Sequence, residues 1–228
     1  MPHLLSKSKY IRGLQCDRAL WLDVHRPALA RYTREQIQRF DRGREFENNF
    51  KAAFPDGIDI SAELKRNVDA YPERTAQLLD LSDSIVLFEA GFQYDDVLVL
   101  ADVVKQNPDG TLDVYEIKSG TTLSDTYKRD AALQHYVISH CREVQSFSIV
   151  HAGVPSALSG KSDYFKVVDL TEELAACHDE IAAHIAVMKK IVLSTAEPDT
   201  PTGQHCLEPY ACPYEHYCQM GIRQLALF

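Results

Sequence analysis

Residues 98–120 read LVLADVVKQNPDGTLDVYEIKSG, two largely apolar runs joined by a turn. Pro108 suits the second position of a type I turn, and Gly110 suits the left-handed position that follows. Together they predict a three-residue loop with a glycine bulge, a common hairpin connection. That loop sets Asn107 against Thr111, and counting back along both strands sets Asp102 opposite Glu116. Strand side chains alternate. Leu98, Leu100, Asp102 and Val104 are therefore expected on one face, with Leu112, Val114, Glu116 and Lys118 on the same face of the partner strand.

Two carboxylates and an ammonium thus emerge from an otherwise apolar surface. Like charges directly opposite each other destabilise a sheet, so something must neutralise them. A divalent cation with oxygen ligands meets that need. Held by Asp102 and Glu116 beside a phosphate, it would polarise a phosphoryl oxygen and lower the pKa of a bound water. Lys118 points the same way and can orient the water or stabilise charge on the phosphate. An isolated E-x-K is also common as a surface pair on a half-exposed sheet. The upstream Asp in a matched hairpin and the helix that follows favour the chemical reading.

Outward from the hairpin, residues 85–94 and 97–106 read as strands joined at Asp95-Asp96, and 111–118 as the third. A helix is expected over 124–141, two more strands over 144–151 and 164–168, and a helix capped by Thr171 running to Leu193. Before the hairpin, residues 6–24 read as one helix ending ahead of Pro27. Thr33 with Gln36 forms a capping box for a helix to Phe54, stopped by Pro55-Asp56-Gly57. Residues 58–83 suggest one short strand and one short helix. On the 33–54 helix, Phe40, Gly43, Glu47, Phe50 and Phe54 share a face. A carboxylate on such a face needs a partner, either a cation or a lysine. The expected fold is α/β, a central mixed sheet flanked by helices, with a cysteine-rich C-terminal extension from Pro198.

The chain of 228 residues carries 45% hydrophobic and 25% charged residues, an ordinary globular balance. Neither a membrane-spanning run nor a signal-peptide layout is legible, and a cytoplasmic protein is expected. The formal net charge of −9 lacks the basic footprint of a nucleic-acid binder, although a cation site concentrates carboxylates. Basic residues cluster early, at Lys7, Lys9, Arg12, Arg18, Arg31, Arg34, Arg39, Arg42 and Arg44. Of six cysteines, Cys141 and Cys177 fall in helical stretches and read as core thiols. Cys206, Cys212 and Cys218 form C-x5-C-x5-C among prolines and aromatics, one ligand short of a four-ligand site, and Cys16 is the natural fourth. Thiolates hold zinc or an iron–sulfur cluster. The wide spacing suits the bulkier group, while His205 and His216 read as flanking residues.

The order of acid, hairpin, E-x-K and helix resembles the PD-(D/E)XK nuclease superfamily. Within it, the chain is most similar to the RecB-like branch, which includes CRISPR-associated iron–sulfur exonucleases and related nuclease-like domains of bacterial proteins of unknown function. The resemblance runs from Tyr10 to Cys218. It implies a restriction-endonuclease-like core at 28–197 and an iron–sulfur lobe built from 1–27 and 198–228. It implies Mg²⁺ or Mn²⁺ held by Glu47, Asp102, Glu116 and the Ile117 carbonyl, with Lys118 assisting the water. Glu47 matches the family's G-x-x-x-E pattern in Gly43-Arg44-Glu45-Phe46-Glu47. Gln134 matches the glutamine of a Q-x-x-x-Y motif. Ile138 stands where that motif has its tyrosine, and the nearby aromatic is Tyr136. The resemblance also implies a [4Fe–4S] cluster on Cys16, Cys206, Cys212 and Cys218, although the family's first C-terminal spacing is often C-x2-C. The implied activity is cleavage of DNA, from single-stranded ends. The rival expectation is a catalytically inactive nucleic-acid-binding or scaffold module that keeps fold and cluster, and a zinc-stabilised domain is a third.

Overall fold

The computed structural model describes residues 3–153 and 164–225, with side chains at 35, 37, 39–42 and 221–225 outside the description. In chain order the elements are β1 (Leu5–Ser6), α1 (Lys7–Gln15), α2 (Asp17–His25), α3 (Arg34–Lys51), β2 (Ile58–Asp59), α4 (Ile60–Leu64), α5 (Tyr71–Leu81), β3 (Val86–Tyr94) and β4 (Val97–Gln106). They continue with β5 (Leu112–Lys118), α6 (Asp125–Ser139), β6 (Val144–Ala152), β7 (Phe165–Asp169), α7 (Thr171–Ala175), α8 (His178–Leu193) and α9 (Glu215–Leu225). The strands form one mixed seven-stranded sheet in the order β2-β3-β4-β5-β6-β7, with β1 also on β4. Helices flank it, as the α/β reading expects. Among the described residues no helix is long and apolar enough to cross a membrane.

The hairpin forms as its turn residues require. Asn107 and Thr111 close the loop through the Asn107 N–H at 2.9 Å from the Thr111 carbonyl, and Gly110 takes a φ of +85°. The β3–β4 connection is a two-residue turn with φ +49° at Asp95 and +57° at Asp96. Positive φ at both positions is what the twist of a tight hairpin requires. Lys189 of α8 bonds both carboxylates there, at 2.5 and 2.9 Å.

Two irregularities shape the middle of the sheet. First, β3 covers one edge of β4 along nearly its whole length, so β1 and β5 share the other edge. β5 pairs with Val103 to Gln106 and β1 with Val97 and Leu98, which leaves a fork between them. Second, the alternation slips at the level of the fork. The main core takes Val97, Val99, Ala101 and then Val104 from β4, and Leu87, then Ala90 and Phe92 from β3. One residue is skipped in each strand, near Asp102 and Glu89, and Glu89 has φ +53°. A non-glycine residue in that region is strained. Leu98, Leu100, Asp102 and Val104 therefore do not share one face through to Val104, because simple alternation fails at the carboxylate.

On one face the sheet packs beneath α6, buried from Asp130 to Ile138, with α5 and α8 beside it. On the other, Phe46 and Phe50 of α3 pack on Phe88, Val103, Ile117 and Val150. Each fully buried aromatic of this kind contributes roughly 2–3 kcal/mol.

Several expectations on helices change. The 6–24 helix is two, broken at Cys16, whose φ of −166° and ψ of 124° are extended. The 171–193 helix is also two, interrupted at Cys177. Residues 58–83 hold two helices rather than one, and α9 occupies part of the tail expected to lack periodicity. Cys141 is exposed rather than a core thiol, because it sits past the end of α6, beyond the buried run.

Candidate functional site

The fork carries the chemistry. Where β5 separates from β4, the Asp102 carboxylate replaces the missing ladder bond, accepting the Ile117 N–H at 2.6 Å. The register between Val103 and Tyr115 extrapolates Asp102 to Glu116, as the hairpin count expects, but the strand pairing ends one step short of them. Glu89 enters from β3 and Glu47 from α3, next to the buried Phe46. Glu47, Glu89 and Asp102 each bring a carboxylate oxygen to within 4.8 Å of the other two. Three hard oxygen donors at that spacing fit a magnesium- or manganese-type ion. Lys51 bonds Glu89 at 2.9 Å and also Glu47, and so steadies two of the three.

Glu116 occupies the other half of the site. It follows Leu112 and Val114 on the side of β5 that α6 covers, and is 1% exposed. Its Oε1 accepts from Lys118 at 2.5 Å and from Lys7 at 2.9 Å, and its Oε2 accepts from the Gln134 amide at 2.7 Å. Lys118 is also bonded by Asp130, one helical turn before Gln134 on α6. Lys7, Glu47, Asp102, Glu116, Lys118 and Asp130 all line one cleft of about 650 Å³.

The electrostatics follow from this arrangement. Burial works against ionised Glu116, but Lys118 and Lys7 overrule it and hold the carboxyl well below its ordinary range. Asp102 goes the other way. Burial and then the Glu116 charge push it well above its ordinary value, against Lys7 and Lys118. Burial also raises Glu89, against the pull of Lys51. Burial opposes charged Lys118, yet Asp130 and Glu116 raise its pKa well above normal. Five carboxylates thus meet three ammonium groups, Lys7, Lys51 and Lys118. With all five ionised, the excess of two negative charges matches one divalent cation.

The structure brings together most of the expected residues, with changes. Glu47 and Asp102 join a triad, but its third member is Glu89 rather than Glu116. Gln134 bonds Glu116 itself. Tyr136 is elsewhere, packed edge-on against Tyr94 and His178. The Ile117 side chain faces the α3 side of the sheet. Of the early basic residues, Lys7, Arg12 and Arg44 line the cleft, together with Tyr32, Tyr127 and Tyr210. A local positive and aromatic wall thus coexists with the acidic total. Sequence reading missed Glu89, Lys7 and Asp130. A lone carboxylate in the apolar run VLFEAGF signals Glu89, and a carboxylate four residues before Gln134 signals Asp130. Lys7 leaves no local signal.

At the other end of the cleft, Gln15 of α1 pins the cysteine-bearing tail. Its amide reaches the carbonyls of His205, Glu208 and Tyr210 at 2.7, 3.1 and 2.7 Å. Cys16, Cys212 and Cys218 pack around Trp21, Leu22 and Tyr214. Burial pushes all three thiols up. Each is raised further by neighbouring cysteines, Cys206 among them in every case. All six cysteines are free, and among the described residues no three cysteine sulfurs lie within 4.8 Å of one another. Among the described residues the thiols therefore form no tight sulfur cluster, and the structure shows a docked cysteine-bearing tail.

No protein-family model and no curated protein matches the sequence. Among solved structures, the crystal structure of SSO0001 is similar at a TM-score of 0.47 and 12% identity, over 95% of this chain and 85% of that chain. A likeness at that level says nothing about chemistry, so the candidate site is an acidic triad beside a buried lysine–carboxylate network, described on its own geometry.

Proposed function

We propose that the protein is a Mg²⁺- or Mn²⁺-dependent nuclease of the PD-(D/E)XK, RecB-like kind that hydrolyses phosphodiester bonds of DNA, acting on single-stranded ends in the cytoplasm. The observation that carries this reading is the convergence of Glu47, Glu89 and Asp102 within 4.8 Å, two of which, Glu47 and Asp102, line the same cleft as Lys118. Glu47, Glu89 and Asp102 would hold the cation, with Glu116 and the Ile117 carbonyl beside it. A divalent cation there supplies a Lewis acid for the phosphoryl oxygen and lowers the pKa of water.

The chain's own residues do the rest. Asp102 fixes the fork by accepting the Ile117 N–H, which keeps β5 aligned as it leaves β4. Asp130 and Glu116 grip Lys118 and keep it charged, so its ammonium can face negative charge building on the phosphate. Gln134 holds Glu116 in one rotamer from a position with no solvent exposure. Arg12 and Arg44 offer charge to a phosphodiester backbone, and Tyr127 a face on which a base can stack.

The proposal extends to a [4Fe–4S] cluster on Cys16, Cys206, Cys212 and Cys218, in a lobe formed by 1–27 and 198–228 around a core at 28–197. It is supported by the packing of Cys16, Cys212 and Cys218 around Trp21, Leu22 and Tyr214 and by the Gln15 anchor. Its role is to staple the chain ends. A second reading, a non-catalytic nucleic-acid-binding or scaffold module, is favoured by the full engagement of Glu116 with two lysines and a glutamine.

The test is hydrolysis of end-labelled single-stranded DNA with Mg²⁺ or Mn²⁺ by wild type, Asp102→Ala and Lys118→Ala. Wild-type cleavage lost in both variants supports the nuclease. Cleavage that survives both removes this site from the mechanism, and DNA binding without cleavage in wild type selects the second reading. Iron and sulfide analysis of anaerobically purified protein tests the cluster.

A further inference from the structure

Lys7 is a charged group in the cleft to which the proposed chemistry gives no task. It opens α1 directly after β1, so the pairing of Leu5 and Ser6 with Val97 and Leu98 delivers it into the fork. Its ammonium lies 2.9 Å from Glu116 Oε1 and 3.9 Å from Asp130 Oδ2. Both oxygens of Glu116 already have donors, from Lys118 and Gln134. Asp130 keeps Oδ1 buried without a hydrogen-bond partner among the described atoms, so this corner retains capacity for positive charge.

The two lysines are not equivalent. Lys118 is gripped by two carboxylates, and its side chain is 18% exposed. Lys7 is 29% exposed and has a flexible four-carbon stem. An ammonium held on Glu116 and a divalent cation on the neighbouring Glu47–Glu89–Asp102 triad repel each other strongly where solvent screening is weak. Of the two ammonium groups, Lys7 is the one able to leave.

We propose that Lys7 is a tethered counter-ion, which neutralises Glu116 in the cation-free protein and swings to the phosphate backbone of the substrate once a divalent cation occupies the neighbouring Glu47–Glu89–Asp102 triad. This rests on the nuclease reading above. It makes Lys7 a competitor of the cation and a ligand of the nucleic acid in turn.

The experiment measures Mn²⁺ binding to wild type, Lys7→Met and Lys7→Arg from the electron paramagnetic resonance signal of free Mn²⁺. Binding of a single-stranded oligonucleotide in Ca²⁺ is measured alongside. Removing one unit charge beside the site should tighten Mn²⁺ binding by roughly tenfold in Lys7→Met. Oligonucleotide binding should weaken in the same variant, and Lys7→Arg should stay near wild type in both. A residue with only a structural role does not tighten cation binding when removed. If wild type binds Mn²⁺ and Lys7→Met binds it equally or more weakly, the tethered counter-ion is wrong and the nuclease reading stands. If wild type binds no Mn²⁺, the nuclease reading falls and takes this inference with it.

Discussion

Replacing Asp102 with Asn should leave the cation-free protein about as stable as wild type and abolish its response to Mn²⁺. The asparagine Oδ1 can still accept the Ile117 N–H that Asp102 holds at 2.6 Å. The Asp102 carboxyl is already pushed well above its ordinary pKa by burial and by Glu116, so a neutral side chain fits the cation-free site. The expected change is within about 1 kcal/mol. With cation the two proteins diverge. At about 100 times its dissociation constant a ligand stabilises by about 2.7 kcal/mol. For a chain of this size that raises the melting temperature by roughly 5–10 °C. Losing one of three carboxylates should weaken binding by about 100-fold, leaving roughly 0.4 kcal/mol and about 1 °C. Wild-type binding should also release protons, because the cation favours the ionised form of a carboxyl whose pKa burial and Glu116 hold up. Affinity should therefore rise with pH in wild type and be flatter in Asp102→Asn. Scanning calorimetry with and without Mn²⁺, and titration calorimetry in buffers of different ionisation enthalpy, read both effects. A full Mn²⁺ shift in Asp102→Asn would refute the triad as the cation site.

Lys118→Met should lower the rate of DNA cleavage by about 10²–10⁴-fold while Mn²⁺ still binds, since the lysine acts on phosphate charge rather than as a cation ligand; unchanged single-turnover cleavage would exclude it. Stability should fall as pH drops below neutral, because burial and the neighbouring His178 hold the His135 pKa down at about 4. Between there and its ordinary value of 6.5 the unfolded chain binds the proton and the folded one does not. The loss therefore accumulates over that window and approaches about 3 kcal/mol at its lower end. Asp102 pulls the opposite way, so the decisive quantity is the difference in urea stability between wild type and His135→Leu, and a pH-independent difference would contradict it. Phe50→Ala should cost about 3–5 kcal/mol by opening a cavity under α3, where Phe50 packs on Phe54, Tyr115 and Phe165. A loss below about 1 kcal/mol on chemical denaturation would mean that face is not packed as described.

The hairpin was legible from sequence because its determinants are local. Pro108 and Gly110 specify the turn, the turn specifies the register, and the register points Asp102 toward Glu116. The capping box of Thr33 and Gln36 was legible for the same reason, and it forms as expected. Glu47 followed from helical periodicity beside a buried aromatic, and Gln134 from a family pattern. The cysteine spacing named four thiols, of which Cys16, Cys212 and Cys218 pack on one small core, but it did not foresee the extended backbone at Cys16 that splits the first helix.

Tertiary structure alone decided how the carboxylates divide between cation and lysine. Glu89 enters the triad because both strands slip by one residue at the fork and its backbone is held at φ +53°, which no alternation rule anticipates. Glu116 is taken by Lys7, which arrives from 109 residues away through a two-residue strand too short to carry a sequence pattern. Turn and capping preferences act over a few residues of chain. The charge balance of a cleft depends on which distant elements the packing of the sheet and its helices brings to the same point.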